Sequence, residues 1–315
     1  MQDITQFAWI DKYAPKEVDD LIATDAMKKT INQILDKGKI PDLLLVGPPG
    51  VGKTAIAKLL CLKLDLDWMI VNASLKGNID TLRNEISQFA GTVSLSGLGK
   101  CAILDEADYL NAQSTQPALR NFIDTYRNNC SFVLTANYGN KIIEPLRERL
   151  EVHEFKIVKS DLPKLVMSMT QRCEDILGME KIEYDKASLA RFIALRAPNW
   201  RSVIIALQRY ARDNGKIDQG ILGLKAQSNI GAVIPMLKVK DFQAVRVWIG
   251  ENADSASQEL FTEIADVLSE AVEPAALPAL YMILARYQYQ SAFVADQQVN
   301  FAAAFAEIMT ECVFV

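Results

Sequence analysis

Residues 43–54 read LLLVGPPGVGKT, a short apolar run that breaks into a glycine-rich turn and then a lysine and a threonine. A wholly apolar run of that length is a strand buried on both faces, and the segment after it, KTAIAKLLCLK over 53–63, has helical spacing. The turn fits the pattern of glycine, four residues, Gly-Lys-Thr, in the strand-to-helix setting that the pattern needs. Glycines let the backbone turn several N–H groups inward, and the helix start adds its positive end. Gly47, Pro48, Pro49, Gly50, Val51 and Gly52 therefore predict a phosphate cradle. Lys53 is expected to reach the β- and γ-phosphates of a nucleotide, and Thr54 to hold Mg²⁺.

Similar apolar runs recur at 68–72 (WMIVN), 101–105 (CAILD) and 131–135 (SFVLT), with helical patterns between them at 79–90 and 114–127. Strands alternating with helices specify an α/β domain with a parallel sheet. From about residue 158 the strand runs stop. Helical periodicity continues over 161–177, 186–196, 200–213, 240–250, 256–271, 275–288 and 297–312. The expected organisation is an α/β domain over 1–157, a small helical domain over 158–226 and an all-α domain over 227–315.

Composition narrows the classes of function. Of 315 residues, half are hydrophobic and 23% charged, a soluble globular balance, and no run approaches the roughly 20 apolar residues of a membrane span. The first residues, MQDITQFAWIDKYAPK, lack the pattern of a secretory leader. Five scattered cysteines and one histidine argue against a zinc cage and for reduced thiols. Charge is uneven. Residues 1–155 carry 17 basic and 20 acidic side chains, 156–225 carry 13 and 8, and 226–315 carry 4 and 11. The acidic last third is no nucleic-acid surface and suits packing within the chain or between subunits. The basic middle suits phosphates or a solvated face equally.

Strand ends supply the remaining candidates, because ligands of open parallel sheets bind at the carboxyl ends of the strands. Asp105 and Glu106 close the third apolar run, so Asp105 suits the Mg²⁺ shell and Glu106 suits polarising a water that attacks the γ-phosphate. Asn137 ends the fourth run and fits either a hydrogen bond to the γ-phosphate or a strand-end turn. Arg149, in Pro145-Leu146-Arg147-Glu148-Arg149-Leu150, fits either a finger acting on a neighbour's ATP or a surface salt bridge with Glu148 or Glu151. Arg201, at the start of a helix, fits either a γ-phosphate contact or an ordinary basic helix end.

In this order the motifs resemble those of the AAA+ ATPase subunits of sliding-clamp loaders, from replication factor C small subunits to the large subunit of T4-like phages. Trp9-Ile10-Asp11-Lys12-Tyr13-Ala14-Pro15 is similar to the family's W-x-x-K-Y-R-P segment, which lies against adenine, so Tyr13 and Pro15 are implied nucleotide contacts; Ala14 replaces the usual arginine. Asn72-Ala73-Ser74, with Ile79-Asp80 and Leu82-Arg83-Asn84, is similar to the family's NASD…GID-x-VRN stretch. Residues 105–108 read DEAD. Gln116, Ala118, Leu119 and Arg120 match an A-Q-x-A-L-R helix, with Pro117 unusual there. Where the family has Ser-Arg-Cys, this chain has Glu148-Arg149-Leu150. Residues 281–315 are similar to the end of the phage subunit.

The resemblance implies an ATP- and Mg²⁺-dependent enzyme of a phage-infected bacterial cytoplasm. It would form a five-membered spiral with further copies of itself and a smaller loader subunit, held by the last domain as a collar. Lys53, Thr54, Asp105, Glu106, Asn137 and Arg201 would act on ATP in cis, and Arg149 in trans, with Arg120 and Asp124 as trans helpers. Lys76, Asn78, Ile79 and Arg83 would meet primer–template DNA through phosphates, or form a solvated helix face. Val93, Leu95 and Leu98 would meet the sliding clamp, or pack in the core. Two other readings stay open: a nucleotide-gated scaffold that hydrolyses little, and another AAA+ machine such as a branch-migration helicase.

Overall fold

The computed structural model describes residues 8–74, 79–94, 97–224, 230–252, 258–291, 293–294 and 296–314, with backbone alone over 79–83, 251–252 and 258–259 and at 263. Its contacts divide the chain into two compact units, 1–223 and 224–315. The boundary expected at 157/158 lies inside the first unit.

The first unit begins with α1 (Trp9–Lys12) and α2 (Asp25–Asp36). There follow β1 (Leu43–Val46), α3 (Lys53–Lys63), β2 (Asp67–Asn72), α4 (Ile79–Gly91), β3 (Lys100–Asp105), α5 (Thr115–Tyr126), β4 (Cys130–Ala136), α6 (Glu144–Arg147) and β5 (Glu151–Glu154). The five strands form one parallel sheet in the order β2-β3-β4-β1-β5. Strand alternation divides the core between the two faces of the sheet. Leu43, Leu45, Cys101, Ile103 and Val133 pack with Ile31 of α2 and with Ile56 and Leu60 of α3. Leu44, Ala102, Leu104, Phe132 and Leu134 pack with Ile86 of α4 and with Leu119 and Ile123 of α5. A sheet covered on both faces needs apolar residues at every position of its central strands, which is why those strands read as unbroken runs.

Gln116 ties the second face together. It is fully buried in the first turn of α5. Its Nε2 donates to the Leu110 and Lys141 carbonyls at 3.0 and 2.9 Å, and its Oε1 accepts from the Ile143 N–H at 2.8 Å. Pro117, next to it, sits in the first turn, where the missing N–H would have had no helical partner. Gln116→Leu strands three buried backbone groups, each costing about 1–3 kcal/mol. We expect a loss of about 3 kcal/mol in urea unfolding of the full chain, more than a volume change alone would give. A loss within error of zero would show those groups finding other partners.

The rest of the first unit is α7 (Leu162–Glu180), α8 (Lys186–Arg196) and α9 (Trp200–Asn214), with a two-stranded pair of β6 (Glu183–Tyr184) and β7 (Lys216–Ile217). Strands thus recur, briefly, in a region that reads as purely helical. Asp185 caps α8 and Asn199 caps α9, each side chain accepting from the N–H three residues on.

The second unit consists of α10 (Val233–Lys238), α11 (Phe242–Asn252), α12 (Gln258–Ser269), α13 (Leu277–Ser291) and α14 (Gln297–Glu311). Its core stacks Phe261 on Phe301, centroids 4.4 Å apart, and sets Trp248 edge-on to Phe305 at 5.8 Å. Among the described residues no helix is long and apolar enough to cross a membrane.

Candidate active site

The carboxyl ends of β1, β3 and β4 converge on a cleft of about 490 Å³. The chain after β1 makes its floor. Gly52 caps α3 with φ 104°, and Gly50 has φ 78°, in the left-handed region that favours glycine. A Cβ on Gly50 would also lie 2.0 Å from Asn199 Oδ1. Only glycine brings this turn so close to the start of α9, where the Arg201 N–H donates to the Gly50 carbonyl at 3.3 Å.

Lys53 is buried in this turn. Its ammonium donates to the Gly47 and Pro48 carbonyls at 2.6 and 2.8 Å and to Asn137 Oδ1 at 2.9 Å. Burial pulls its pKa down to about 8, against the attraction of Asp108 and Asp105. The site therefore holds a cation at an electrostatic cost that an incoming phosphate would offset.

Behind the lysine, Thr54 Oγ1 and Thr135 Oγ1 both donate to Asp105 Oδ1, at 2.7 and 2.6 Å. Thr135 Oγ1 in turn accepts from the Glu106 N–H at 3.1 Å. Glu106 itself lies at φ 59°, a left-handed conformation uncommon for a side-chain-bearing residue and concentrated at functional sites. It turns the backbone off the strand axis, and Glu106 lines the cleft beside Asp105. Asp108, nearly buried, accepts from the Tyr138 N–H at 3.3 Å and so anchors the chain that follows Asn137.

Tyr13, Ala14, Pro15, Leu21, Val51, Met169 and Trp200 give the cleft an apolar part of its lining, and Arg201 also stands at its wall. The residues from Tyr13 to Pro15 are fixed from α7. Arg172 donates to the Tyr13 carbonyl at 3.1 Å and to Asp20 at 3.3 Å, while the Tyr13 hydroxyl donates to Glu180 at 2.5 Å.

The structure thus brings together Tyr13, Pro15, Pro49, Gly50, Val51, Gly52, Lys53, Thr54, Asp105, Glu106, Asn137 and Arg201, with Gly47 and Pro48 on the lysine. Thr135, Arg172 and Trp200 are additions. Thr135 had one signal, a hydroxyl in an otherwise apolar run. Arg172 had none, because its contacts cross about 150 residues of chain.

Arg149 lies elsewhere, on a separate recess of about 500 Å³ shared with Lys39, Asp42, Arg127 and Glu151. It pairs with Asp124 at 3.0 Å and not with Glu148 or Glu151. Leu150 after it is buried in the core, so this position of the finger motif serves packing. Arg120 sits one helical turn before Asp124, and its Nε has no hydrogen-bond partner among the described residues. Lys76, Asn78 and Leu95 lie outside the described residues, as do the side chains of Ile79 and Arg83 in α4. Val93 and Leu98 are exposed.

A parallel sheet with a lysine-bearing phosphate turn at one strand end, and a carboxylate pair at another, defines a P-loop ATPase. The ATPase family associated with various cellular activities (AAA) matches residues 43–157, and the AAA+ ATPase lid domain of the sliding-clamp-loader large subunit matches residues 161–223. The sliding-clamp-loader large subunit of Enterobacteria phage T4 is 31% identical over 305 residues, 95% of each chain. The chain belongs to this family of clamp-loader AAA+ ATPases and, as a member, hydrolyses ATP. The replication factor C small subunit of Archaeoglobus fulgidus is 34% identical over 218 residues, covering 67% of this chain and 66% of that one. The RuvB Holliday junction branch migration motor of Thermotoga maritima is similar in fold alone, with a TM-score of 0.53 at 17% identity over 92% of this chain and 91% of that one.

Proposed function

We propose that this chain is the motor subunit of a sliding-clamp loader. The observation that carries the reading is the end-to-end similarity to the phage T4 large subunit, lid included. ATP would lie in the cleft with its base toward Tyr13 and Pro15 and its β- and γ-phosphates at Lys53 and the N–H groups of the turn. Thr54 and Asp105, an adjoining hydroxyl and carboxylate, are the hard oxygen donors that Mg²⁺ takes. That ion would neutralise charge on the β- and γ-oxygens. Glu106 would accept a proton from the attacking water. Asn137, already hydrogen-bonded to Lys53, would orient that water or the γ-phosphate, and Arg201 would reach the γ-phosphate from the wall.

Arg149, remote from its own cleft, would complete the site of a neighbouring copy. Residues 227–315 would form the collar that assembles these copies with a smaller subunit. The ATP-bound spiral would hold an open clamp through Val93, Leu95 and Leu98, and admit primer–template DNA to Lys76, Asn78, Ile79 and Arg83. Hydrolysis would then release the clamp closed on DNA.

The test is steady-state ATPase of the assembled complex with and without clamp and primer–template DNA. We expect stimulation that needs both, of about 5–150-fold, the usual span of coupling between sites. The DNA-dependent part should weaken with salt, as phosphate contacts do. Indifference to clamp and DNA would remove the loader reading and favour the scaffold or another machine.

A further inference from the structure

The guanidinium of Arg149 is held at Nε and at Nη1. Its Nε donates to both carboxylate oxygens of Asp124, at 3.1 and 3.0 Å, and its Nη1 donates to the Pro145 carbonyl at 2.6 Å. Nη2 has no hydrogen-bond partner among the described residues. The two anchors come from different helices. Asp124 is in α5, Pro145 is in α6, and Arg149 follows α6 by two residues.

The pattern of donors matters more than the ion pair. An arginine recognises phosphate best through two parallel N–H bonds. A carboxylate seated across Nη1 and Nη2 would close that fork. Here the carboxylate takes Nε and the Pro145 carbonyl takes one N–H of Nη1, which leaves both N–H groups of Nη2 and the second N–H of Nη1. Asp124 also has a nearer claimant in sequence, Arg120, one turn earlier on the same helix. It pairs across 25 residues with Arg149 instead.

We infer that Asp124 is the positioning residue of the finger. It fixes the plane of the Arg149 guanidinium within its own chain, so that the donors left over, those of Nη2 first, reach a neighbour's γ-phosphate already oriented. The inference rests on the reading of Arg149 as a finger acting in trans, and it departs from a role for Asp124 itself at the neighbour's site. Preorganisation of this kind acts on the chemical step, because the donor need not be ordered as charge develops. The pair is half exposed, so its contribution is a fraction of the finger's own.

The test is kcat and KM for ATP in the assembled complex, with clamp and primer–template DNA, for Asp124→Asn, Asp124→Ala, Arg149→Ala and the Asp124→Ala/Arg149→Ala double variant. Asp124→Asn keeps the shape and one acceptor for Nε, so it folds as the parent does and should lower kcat about threefold. Asp124→Ala should lower it about tenfold with KM within about twofold, against the roughly 10³–10⁵ lost with the finger. The double variant should match Arg149→Ala alone, because without the guanidinium there is nothing to orient. An unchanged or raised kcat in Asp124→Ala overturns the inference, and a raised value marks the pair as a restraint. A double variant slower than Arg149→Ala by the same factor overturns it too, since Asp124 would then act independently. Arg149→Ala at the parental rate removes the finger reading itself and the inference with it.

Discussion

Lys53→Met abolishes ATP binding at concentrations that saturate the parent while leaving the unliganded fold intact. The two halves of this expected result have one cause. Lys53 is buried against two backbone carbonyls and Asn137, and burial holds its pKa at about 8. A lysine whose pKa is lowered on folding destabilises the folded state while it is charged, so near neutral pH, below its pKa of about 8, the Lys53 charge costs stability and its removal offsets the hydrogen bonds lost with it. Methionine keeps the length and apolar stem of the side chain and removes the charge. Thermal unfolding of the unliganded protein should therefore shift little. Binding is different, because the ammonium is the one point charge set within the phosphate turn. Removing one partner from a desolvated charge pair costs about 2–5 kcal/mol, which is about 30- to 5,000-fold in Kd. Calorimetric titration with ATP measures it, and a Kd within a factor of about three of the parent would place the phosphates elsewhere.

The same residues show what a sequence discloses. β1, β3 and β4 were legible because each is buried on both faces, and unbroken apolar runs have few other uses; β2 was legible from its apolar run alone, although it is an edge strand with Trp68 and Ile70 exposed. β5 was not legible. It is a short edge strand paired only to β1, with charged residues at both ends, and nothing in EVHE marks it. α2 lies between two stretches with strong motifs and was passed over, although its amphipathic face packs Ile31 and Ile34 into the core.

The residues of the candidate site were readable wherever a motif ties residue type to a strand end, which holds for Lys53, Thr54, Asp105, Glu106 and Asn137. The links among them were not. Thr135 bridging Asp105 to the Glu106 N–H is a contact between adjacent strands, and needs the register of β3 and β4 to be known. The left-handed turn at Glu106 leaves no trace in composition. Arg172 comes from a helix whose periodicity predicts only that it packs somewhere.

Arg149 posed the opposite problem. Its type and position allowed either a finger or a salt bridge, and the structure has it in a salt bridge, with Asp124. The two roles are compatible because the bridge occupies Nε and leaves the donors of Nη2 without a partner among the described residues. Whether the arginine acts on a neighbour is then a question about assembly.

Assembly makes the second large effect measurable in a way that separates action in trans from action in cis. Arg149→Ala should leave ATP binding nearly as it is and lower kcat by about 10³–10⁵, the range that arginine fingers supply. Glu106→Gln should also bind ATP and fail to hydrolyse it, because the amide cannot take a proton from water. In a head-to-tail ring, on the proposed roles, each active site would draw Glu106 from one copy and Arg149 from the next. Mixing the two variants in equal amounts therefore rebuilds intact sites wherever an Arg149→Ala copy supplies Glu106 and its Glu106→Gln neighbour supplies Arg149. Random assembly makes that about a quarter of the interfaces between copies of this chain. The mixture should hydrolyse ATP far above either variant alone, with DNA and clamp still required. If both residues served the same cleft, every site in the mixture would carry one lesion and the mixed complex would stay as inactive as its parts. The distance of Arg149 from the cleft of its own chain, on a recess that shares no lining residue with it, is the structural reason to expect recovery.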